Sequence, residues 1–325
     1  MTLKIKDDNS LLKIIKRFWG EILNLTREEF LKKYNISEEE FREAGLPWED
    51  LLEIARDYQN KIPRYDKIRR QFIAEFFMYR EKETGLQSYR SRMKDPEHLL
   101  EKIIRKRKEN YIKYRSLTKE NYTKFVMDLI GVRGLLLYRE DWVIFHKYLI
   151  SHFQNDPRKY VKDCIKDYSD ETDGCIVEPP KVHMRLGDYA DIYFNWISRD
   201  NILDQKHYRS VHYIVKYEGV YIEIQIRTLF EEGWGEIDHH IIYPYKKDDP
   251  MLNEFSELLN RLSGMGDEMA SFYKRLQVVP DQAFQRKDSV VNHKIMENKF
   301  DGDLNPVDLK KILTVHDAIK SVLNE

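Results

Sequence analysis

The sequence is poor in cysteine and contains no long apolar run. Only Cys164 and Cys175 occur in 325 residues, which is too few for a disulfide framework, and no Cys/His cluster has structural-zinc spacing. No apolar segment approaches the roughly 20 residues that cross a bilayer, and the N-terminus lacks a secretory apolar core. We therefore expect a cytoplasmic protein with reduced thiols and no membrane partner.

Net charge is also nearly absent. The chain has 55 Lys and Arg residues against 56 Asp and Glu residues, so its formal net charge is -1, although 34% of all residues are charged. Only a local cluster of charge can therefore indicate a partner. Between Arg90 and Arg115, ten basic residues outnumber four acidic ones. This excess indicates an anionic partner, with a solvated helix face as the alternative for Arg105 to Lys108.

Residues 208–228 predict a β-hairpin, because β-branched and aromatic residues dominate both arms around a two-residue Glu-Gly turn at 218–219. Alternation along the second arm then places Glu223, Gln225 and Arg227 on one face. The turn sets Gln225 opposite His212, so this face collects several different hydrogen-bonding groups. A solvated sheet face is the alternative, but the dense Trp/Glu/His segment that follows favours a functional face.

Helical periodicity dominates both ends of the chain. Thr26 with Glu29, and Ser37 with Glu40, form two predicted capping boxes in a helical N-terminal region, and the helical pattern continues over 61–90. Near the other end, 248–277 predicts a helix with one apolar stripe, and 306–323 a last short helix. The stripe consists of Phe255, Leu258, Leu259, Leu262 and Met265.

The middle of the chain has mixed patterns. Asp95 before Pro96 predicts the start of a helix, and 132–138 predicts a buried strand. Residues 155–180 predict an irregular insert, and 182–193 another strand or two. Asp128, just before the buried strand, would on its own be interpreted as a turn cap.

Glu-Ile-Gln-Ile-Arg-Thr at 223–228 is a specific segment, and Tyr-Arg-Ser-Val-His at 208–212 precedes it. Together with two further segments, they resemble the synthetase domain of the Rel/SpoT family, the enzymes that make the alarmones ppGpp and pppGpp. Asp-Leu-Ile-Gly-Val-Arg at 128–133 is similar to the family's Asp-x-x-Gly-x-Arg, and residues 92–94 match its Arg-x-Lys. The resemblance covers about residues 85–245.

The resemblance implies an α/β (α+β) fold of the nucleotidyltransferase type, with a mixed sheet of about five strands flanked by helices. We expect a synthetase domain over 61–247, an N-terminal helical region over 1–60 and a C-terminal helical extension over 248–325. The implied reaction moves the β,γ-pyrophosphate of ATP to the 3′-hydroxyl of GDP or GTP. No hydrolase-type region is evident upstream, so we expect synthesis without hydrolysis.

The resemblance also implies a site. Asp128 and Glu223 would hold Mg²⁺, and Gln225 would stand beside Glu223 as it orients or deprotonates the hydroxyl. The expected ATP ligands are Arg92, Lys94, Lys102, Arg133 and Arg227, although Arg133 could instead face a structural carboxylate. The expected acceptor ligands are Lys206, Tyr208, Arg209, His212, Glu236 and His240.

Two other functions stay open. One is a toxin-like relative that places pyrophosphate on the 3′ end of tRNA, which the basic stretch and an altered loop before Tyr208 would allow. In that loop His207 stands where the family has Gly, and Lys206 would replace the usual lysine. The other is an inactive nucleotide-binding module, which the two carboxylates and the Arg-x-Lys argue against. The terminal helices could also form a homo-oligomer, with intramolecular packing as the alternative.

Overall fold

The computed structural model describes residues 26–153, 174–185, 188, 190–205, 207–241 and 249–278. The predictions for 1–25, Lys206, the helix at 306–323 and most of the insert at 155–180 lie outside these ranges. The chain divides into two compact units, Met1–Lys274 and Arg275–Glu325, and every strand within the described ranges belongs to the first. Within the described ranges, no helix is both long enough and apolar enough to span a bilayer.

Within the described residues, 27–76 are largely helical, as predicted for this part of the chain. This part contains α1 (Arg27–Lys33), α2 (Glu38–Ala44) and α3 (Trp48–Phe76). Both capping boxes are confirmed, because Thr26 and Ser37 each accept a hydrogen bond from the third helical amide and receive the Glu side chain in return. Helix α3 runs through residue 60, so the expected boundary between 1–60 and 61–247 falls inside a helix.

The remaining elements are strands mixed with helices of 14 residues or fewer, followed by one helix of 29 residues. In chain order they are α4 (Glu81–Thr84), β1 (Leu86–Met93), α5 (Pro96–Glu109), α6 (Tyr111–Tyr114), α7 (Tyr122–Phe125), β2 (Ile130–Leu136), α8 (Trp142–His152), β3 (Cys175–Ile176), β4 (Lys181–Arg185), α9 (Asp191–Phe194), β5 (Ile202–Gln205), β6 (Ser210–Tyr217), β7 (Val220–Thr228), α10 (Leu229–Ile241) and α11 (Pro250–Val278). Two 3₁₀ turns, Arg139–Asp141 and Arg199–Asn201, precede α8 and β5.

The strands form one mixed sheet in the order β1-β2-β7-β6-β4-β5, with β3 added on β6. The fold class is confirmed, but the described part of the sheet has seven strands instead of about five. Strand β1 was missed because helical periodicity was extended to residue 90. Gly85, at φ 69°, ends α4 in the left-handed region, and the chain continues as a strand.

The β6–β7 hairpin is confirmed with its register. Its turn residues Glu218 and Gly219 both have positive φ, 51° and 72°, as a two-residue turn between twisted strands requires. Gln225 pairs with His212, and Glu223 with Ile214. These side chains therefore share one face of the sheet.

The opposite face of the sheet is the hydrophobic core. Ile222, Ile224 and Ile226 are at most 1% exposed and pack in one cluster with residues of α3 and α8. Trp142 at the start of α8 donates its indole N–H to the buried Tyr213 hydroxyl, 2.9 Å away. Because this face is occupied by packing, the functional groups are restricted to the polar face.

Candidate active site

A cleft of about 220 Å³ opens on the polar face of the sheet. Strands β2 and β7 are parallel neighbours, and their register pairs Gly131 with Glu223 and Arg133 with Gln225. Asp128 lies three residues before Gly131, so the fold brings it to the same cleft as Glu223. The lining residues are Arg90, Ser91, Arg92, Asp128, Gly131, Val132, Arg133, Glu223, Gln225 and Glu236.

Asp128 is held between two lysines. Its Oδ2 atom is 2.8 Å from Lys94 Nζ and 2.7 Å from Lys102 Nζ. Burial disfavours the charged carboxylate, but the two lysines outweigh it and hold the pKa of Asp128 well below its usual range. Its Oδ1 atom is buried and has no hydrogen-bond partner among the described residues. Asp128 is therefore ionised and keeps one oxygen available to a ligand.

Glu223 belongs to a closed ring of polar contacts, here called the polar ring. Gln225 Nε2 donates to Glu223 Oε2 at 2.7 Å, and Gln225 Oε1 accepts from Arg227 Nη2 at 2.8 Å. The same Arg227 nitrogen donates to the Tyr208 hydroxyl at 3.0 Å, which lies 2.9 Å from His212 Nε2. His212 Nδ1 closes the ring 3.5 Å from Glu223 Oε1.

The direction of these bonds follows from donor chemistry. Arg227 can only donate, so the Tyr208 oxygen accepts from it and turns its own hydrogen toward His212 Nε2. The neutral His212 ring then carries its proton on Nδ1, facing Glu223. Burial opposes ionisation of Glu223, but the contact with His212 outweighs it and lowers the pKa of the Glu223 carboxyl.

Arginines supply the positive charge of the cleft. Arg133 Nη1 lies 3.1 Å from Glu232 and also bonds Glu236, so it braces helix α10 against the sheet. Arg92 is exposed and lies over Gly131, where an added Cβ would be 3.7 Å from the Arg92 Cγ. Arg90, 3.7 Å from Glu236, also lines the cleft although it was not predicted. Strand alternation from Arg92 would have identified it.

Arg209, Arg227 and His240 were predicted as ligands but do not line this cleft. Arg209 is buried beside β6 and pairs with Glu231 and Asp188. Arg227 lies over the Tyr208 ring at 5.2 Å and is 3.3 Å from Glu232, so its charge is already paired inside the protein. His240 is exposed on α10. Apart from Lys206, each remaining predicted residue lines the cleft, belongs to the polar ring or forms an ion pair with Asp128.

Two histidines near the site were not predicted. His183 on β4 lies 4.6 Å from the His212 ring and 5.6 Å from the Tyr208 ring, and burial lowers its pKa to about 4. Burial, followed by the charge of Arg92, lowers the pKa of His239. His239 is therefore within electrostatic reach of Arg92 in the cleft. The spacing of Glu236 and His239, three positions apart on one helix face, was the available signal.

The carboxylate pair fits a hard cation. Among the described residues, no group of three or more His, Cys, Asp or Glu side chains is arranged to hold a metal ion. Mg²⁺ is nevertheless commonly bound by one or two carboxylates, with water and substrate phosphates completing its shell. The unpartnered Asp128 Oδ1 and the nearby Glu223 carboxylate, whose charges repel each other, match that requirement.

Two carboxylates and several cations on the polar face of a mixed sheet define a site suited to a polyphosphate. A profile of the region found in RelA and SpoT proteins matches residues 91–248, which contain this whole site except Arg90. Residues 91–248, just under half of the chain, therefore form a RelA/SpoT-type region. No curated protein matches the chain.

Several solved structures are similar to the chain at low identity. Small alarmone synthetase 1 from Bacillus subtilis is 19% identical, with 67% of this chain and 98% of that chain covered and a TM-score of 0.43. The same enzyme bound to its product pppGpp is 18% identical over 70% of this chain and 94% of that chain, with a TM-score of 0.38. A GTP pyrophosphokinase family protein from Streptococcus pneumoniae is 19% identical over 81% and 95%, with a TM-score of 0.36.

Proposed function

We propose that the protein transfers the β,γ-pyrophosphate of ATP to the 3′-hydroxyl of GDP or GTP, which yields ppGpp or pppGpp and AMP. One observation carries the proposal: Asp128 and Glu223 face a single cleft that also contains Arg90 and Arg92. The RelA/SpoT region supports it, since the cleft lies within that region. Neutralisation of phosphate charge is the main requirement of such a transfer.

The donor triphosphate is assigned to the β1 side of the cleft. Arg92 is exposed there, and Lys94 and Lys102 surround Asp128. Guanidinium groups bind phosphate oxygens in pairs, and ammonium groups act as point charges on them. Arg133 is already bonded to two glutamates, so its role is to position α10 at the edge of the cleft.

The acceptor is assigned to the side of the polar ring. The 3′-oxygen attacks the β-phosphorus of ATP while the bond from that phosphorus to the α,β-bridging oxygen breaks and AMP leaves. Glu223 takes the proton of the hydroxyl, because its carboxylate is ionised and fixed by Gln225. Tyr208 is assigned to stack on the guanine base, beside Arg227, whose guanidinium lies over one face of the ring.

Asp128 and Glu223 are the residues that would hold Mg²⁺. The ion would supply charge neutralisation at the transferred phosphates.

The basic run from Arg105 to Lys108 gives little support to the alternative in which tRNA is the acceptor. Arg105 pairs with Glu101 and Glu109, and Arg107 donates to the carbonyl oxygens of Gly45 and Tyr114. Lys106 and Lys108 are likewise paired with glutamates. These side chains are therefore engaged within the protein, and Arg107, at 3% exposed, does not lie on the solvated face that the alternative interpretation expected.

The proposal is tested by incubating the purified protein with ATP labelled in its γ-phosphate and, in separate reactions, GDP, GTP or uncharged tRNA. We expect label on GDP or GTP, and loss of transfer in Glu223→Gln. Glu39 is an exposed residue of α2, so Glu39→Gln makes the same change away from the cleft. This matched control should keep full activity. Label on tRNA alone would replace the proposed acceptor, and an active Glu223→Gln variant would refute the assigned role of Glu223.

A further inference from the structure

Tyr58 of helix α3 lies outside the RelA/SpoT-type region but contacts the segments that carry Lys94 and Asp128. It is 0% exposed, and its ring packs in the hydrophobic core with the other buried residues of α3. Packing alone does not require a hydroxyl group at such a position, and burying one is unfavourable unless it is hydrogen-bonded. The partners of this hydroxyl therefore indicate what the residue does.

The Tyr58 hydroxyl bonds the end of the ladder between β1 and β2. Its oxygen lies 2.8 Å from the carbonyl oxygen of Lys94 and 3.3 Å from that of Leu129. The Lys94 amide donates to the same Leu129 oxygen at 2.9 Å. Burial, followed by the negative charge of Asp128, raises the pKa of Tyr58, so its hydroxyl stays protonated and donates. A hydroxyl has one hydrogen, so the closer Lys94 oxygen is its main acceptor.

This contact fixes the backbone on both sides of an ion pair. The ladder between β1 and β2 ends at the pair Met93 and Ile130, so Lys94 and Leu129 lie just beyond it. The Lys94 ammonium is 2.8 Å from Asp128, which directly precedes Leu129 in the chain. The backbone attachments of both charged side chains are therefore held by one buried hydroxyl.

A second residue of α3 supports the same strand. Arg69 follows Tyr58 after about three helical turns, so both project from one side of the helix. Its Nη1 atom donates to Ser91 Oγ at 2.5 Å, and Asp66 holds the guanidinium at 2.6 Å. Ser91 lines the cleft. Helix α3 therefore braces β1 at two points along the cleft.

We propose that Tyr58 is a positioning residue for the donor side of the site. Its hydroxyl holds Lys94 and Asp128 where they receive the triphosphate of ATP with Mg²⁺, and in this respect the inference rests on the proposed function. Without the hydroxyl, the ion pair persists but its backbone is no longer anchored, so donor binding weakens. The acceptor side is built on β6 and β7 and is unaffected.

Calorimetry with α,β-methylene-ATP and Mg²⁺ tests this proposal without reference to transfer. The probe has carbon in place of the bridging oxygen whose bond breaks in the proposed reaction, so it binds without reacting. Tyr58→Phe keeps the ring and removes the hydroxyl, and it should raise the Kd of the probe about tenfold, as the loss of about one hydrogen bond would. In transfer assays the KM for ATP should rise by a similar factor, while the acceptor KM stays within about twofold of wild type.

Tyr217→Phe is the matched control. The Tyr217 hydroxyl donates to the Glu75 carboxylate of α3 at 2.6 Å, and its ring packs against Phe72 and Phe76 on the core face of the sheet. This variant also removes a hydrogen bond between α3 and the sheet, so it should lower the melting temperature as Tyr58→Phe does. Its Kd for the probe should stay within about twofold of wild type. An equal loss of probe affinity in both variants would overturn the positioning role.

A double-mutant cycle tests the route of the effect. In a Lys94→Met background, Tyr58→Phe should raise the Kd by less than about threefold, because the side chain that it positions is gone. A larger further loss would overturn the route through Lys94.

The two proposals fail in different ways. Equal probe affinities of Tyr58→Phe and wild type would overturn the role of Tyr58 and leave the proposed function intact. A wild type that binds the probe but transfers no label would refute the proposed function alone. A wild type that does not bind the probe would refute both.

Discussion

Tyr208 is assigned two separable roles, and two substitutions distinguish them. Its hydroxyl accepts from Arg227 at 3.0 Å and donates to His212 at 2.9 Å, whereas its aromatic ring is assigned to the acceptor base. Tyr208→Phe removes the hydroxyl and keeps the ring. In this variant Arg227 keeps its hydrogen bond to Gln225 at 2.8 Å and its ion pair with Glu232 at 3.3 Å. The main loss is therefore the hydrogen bond to His212 Nε2, which is left without a partner.

The expected stability change follows from that loss. One unpaired, largely buried nitrogen and two lost hydrogen bonds reduce the free energy of unfolding by about 1–3 kcal/mol. Urea denaturation at neutral pH measures this difference. The acceptor KM of Tyr208→Phe should stay within about threefold of wild type, because phenylalanine stacks as well as tyrosine.

Tyr208→Ala removes the stacking surface as well. Stacking is worth about 1–3 kcal/mol per base, so the acceptor KM should rise about 5-fold to 150-fold above that of Tyr208→Phe, with the KM for ATP unchanged. Equal acceptor KM values in the two variants would refute the stacking role. An unchanged free energy of unfolding in Tyr208→Phe would refute the polar ring as a source of stability.

Three further results are expected. Asp128→Asn should lose transfer and also about 3 kcal/mol of stability, because it leaves two lysines without their counter-charge. Glu223→Gln should lose transfer but less than about 1 kcal/mol of stability. Equal stability losses of the two variants in urea denaturation would contradict this expectation. Burial lowers the pKa of His146 to about 4, so the unfolded state binds the proton more readily and stability falls as the pH drops from about 6.5 to about 4. His146→Gln should remove about 3 kcal/mol of that pH dependence, and an unchanged pH profile of melting would contradict it. Gly134→Ala should cost about 1–3 kcal/mol, because its Cβ would lie 2.6 Å from an Ile226 methyl group, whereas Gly131→Ala meets only an ordinary contact and should melt as wild type does.

Local signals predicted much of the fold. The capping boxes at Thr26 and Ser37, the cap at Asp95 and the turn at 218–219 depend on a few neighbouring residues, and each was found where the sequence placed it. Strands β1 and β5 were missed because their side chains carry few β-branched or aromatic residues. Their strand conformation comes from pairing with β2 and β4, which a short sequence window does not contain.

The candidate site likewise combines local features that the sequence predicted with long-range contacts that it did not. Strand alternation was sufficient to bring Glu223, Gln225 and His212 to one face, because the hairpin turn fixes their register. The meeting of Asp128 with Glu223 depends on the parallel pairing of β2 with β7, a contact between segments far apart in the chain. Charge pairing was the least predictable property of the site. The ion pair between Arg227 and Glu232 forms only when α10 packs against the sheet, so the sequence alone does not reveal it.

Helix α11 shows why periodicity alone leaves the environment of a helix undecided. Its stripe was predicted from the same spacing that describes core-facing helices, and α11 spans Pro250–Val278 as expected. The polar side decides the orientation, because Asn260 satisfies both a carbonyl group beside Tyr208 and the guanidinium of Arg185. Helix α11 therefore contacts the loop before the acceptor side of the site through its polar side and leaves its apolar stripe exposed.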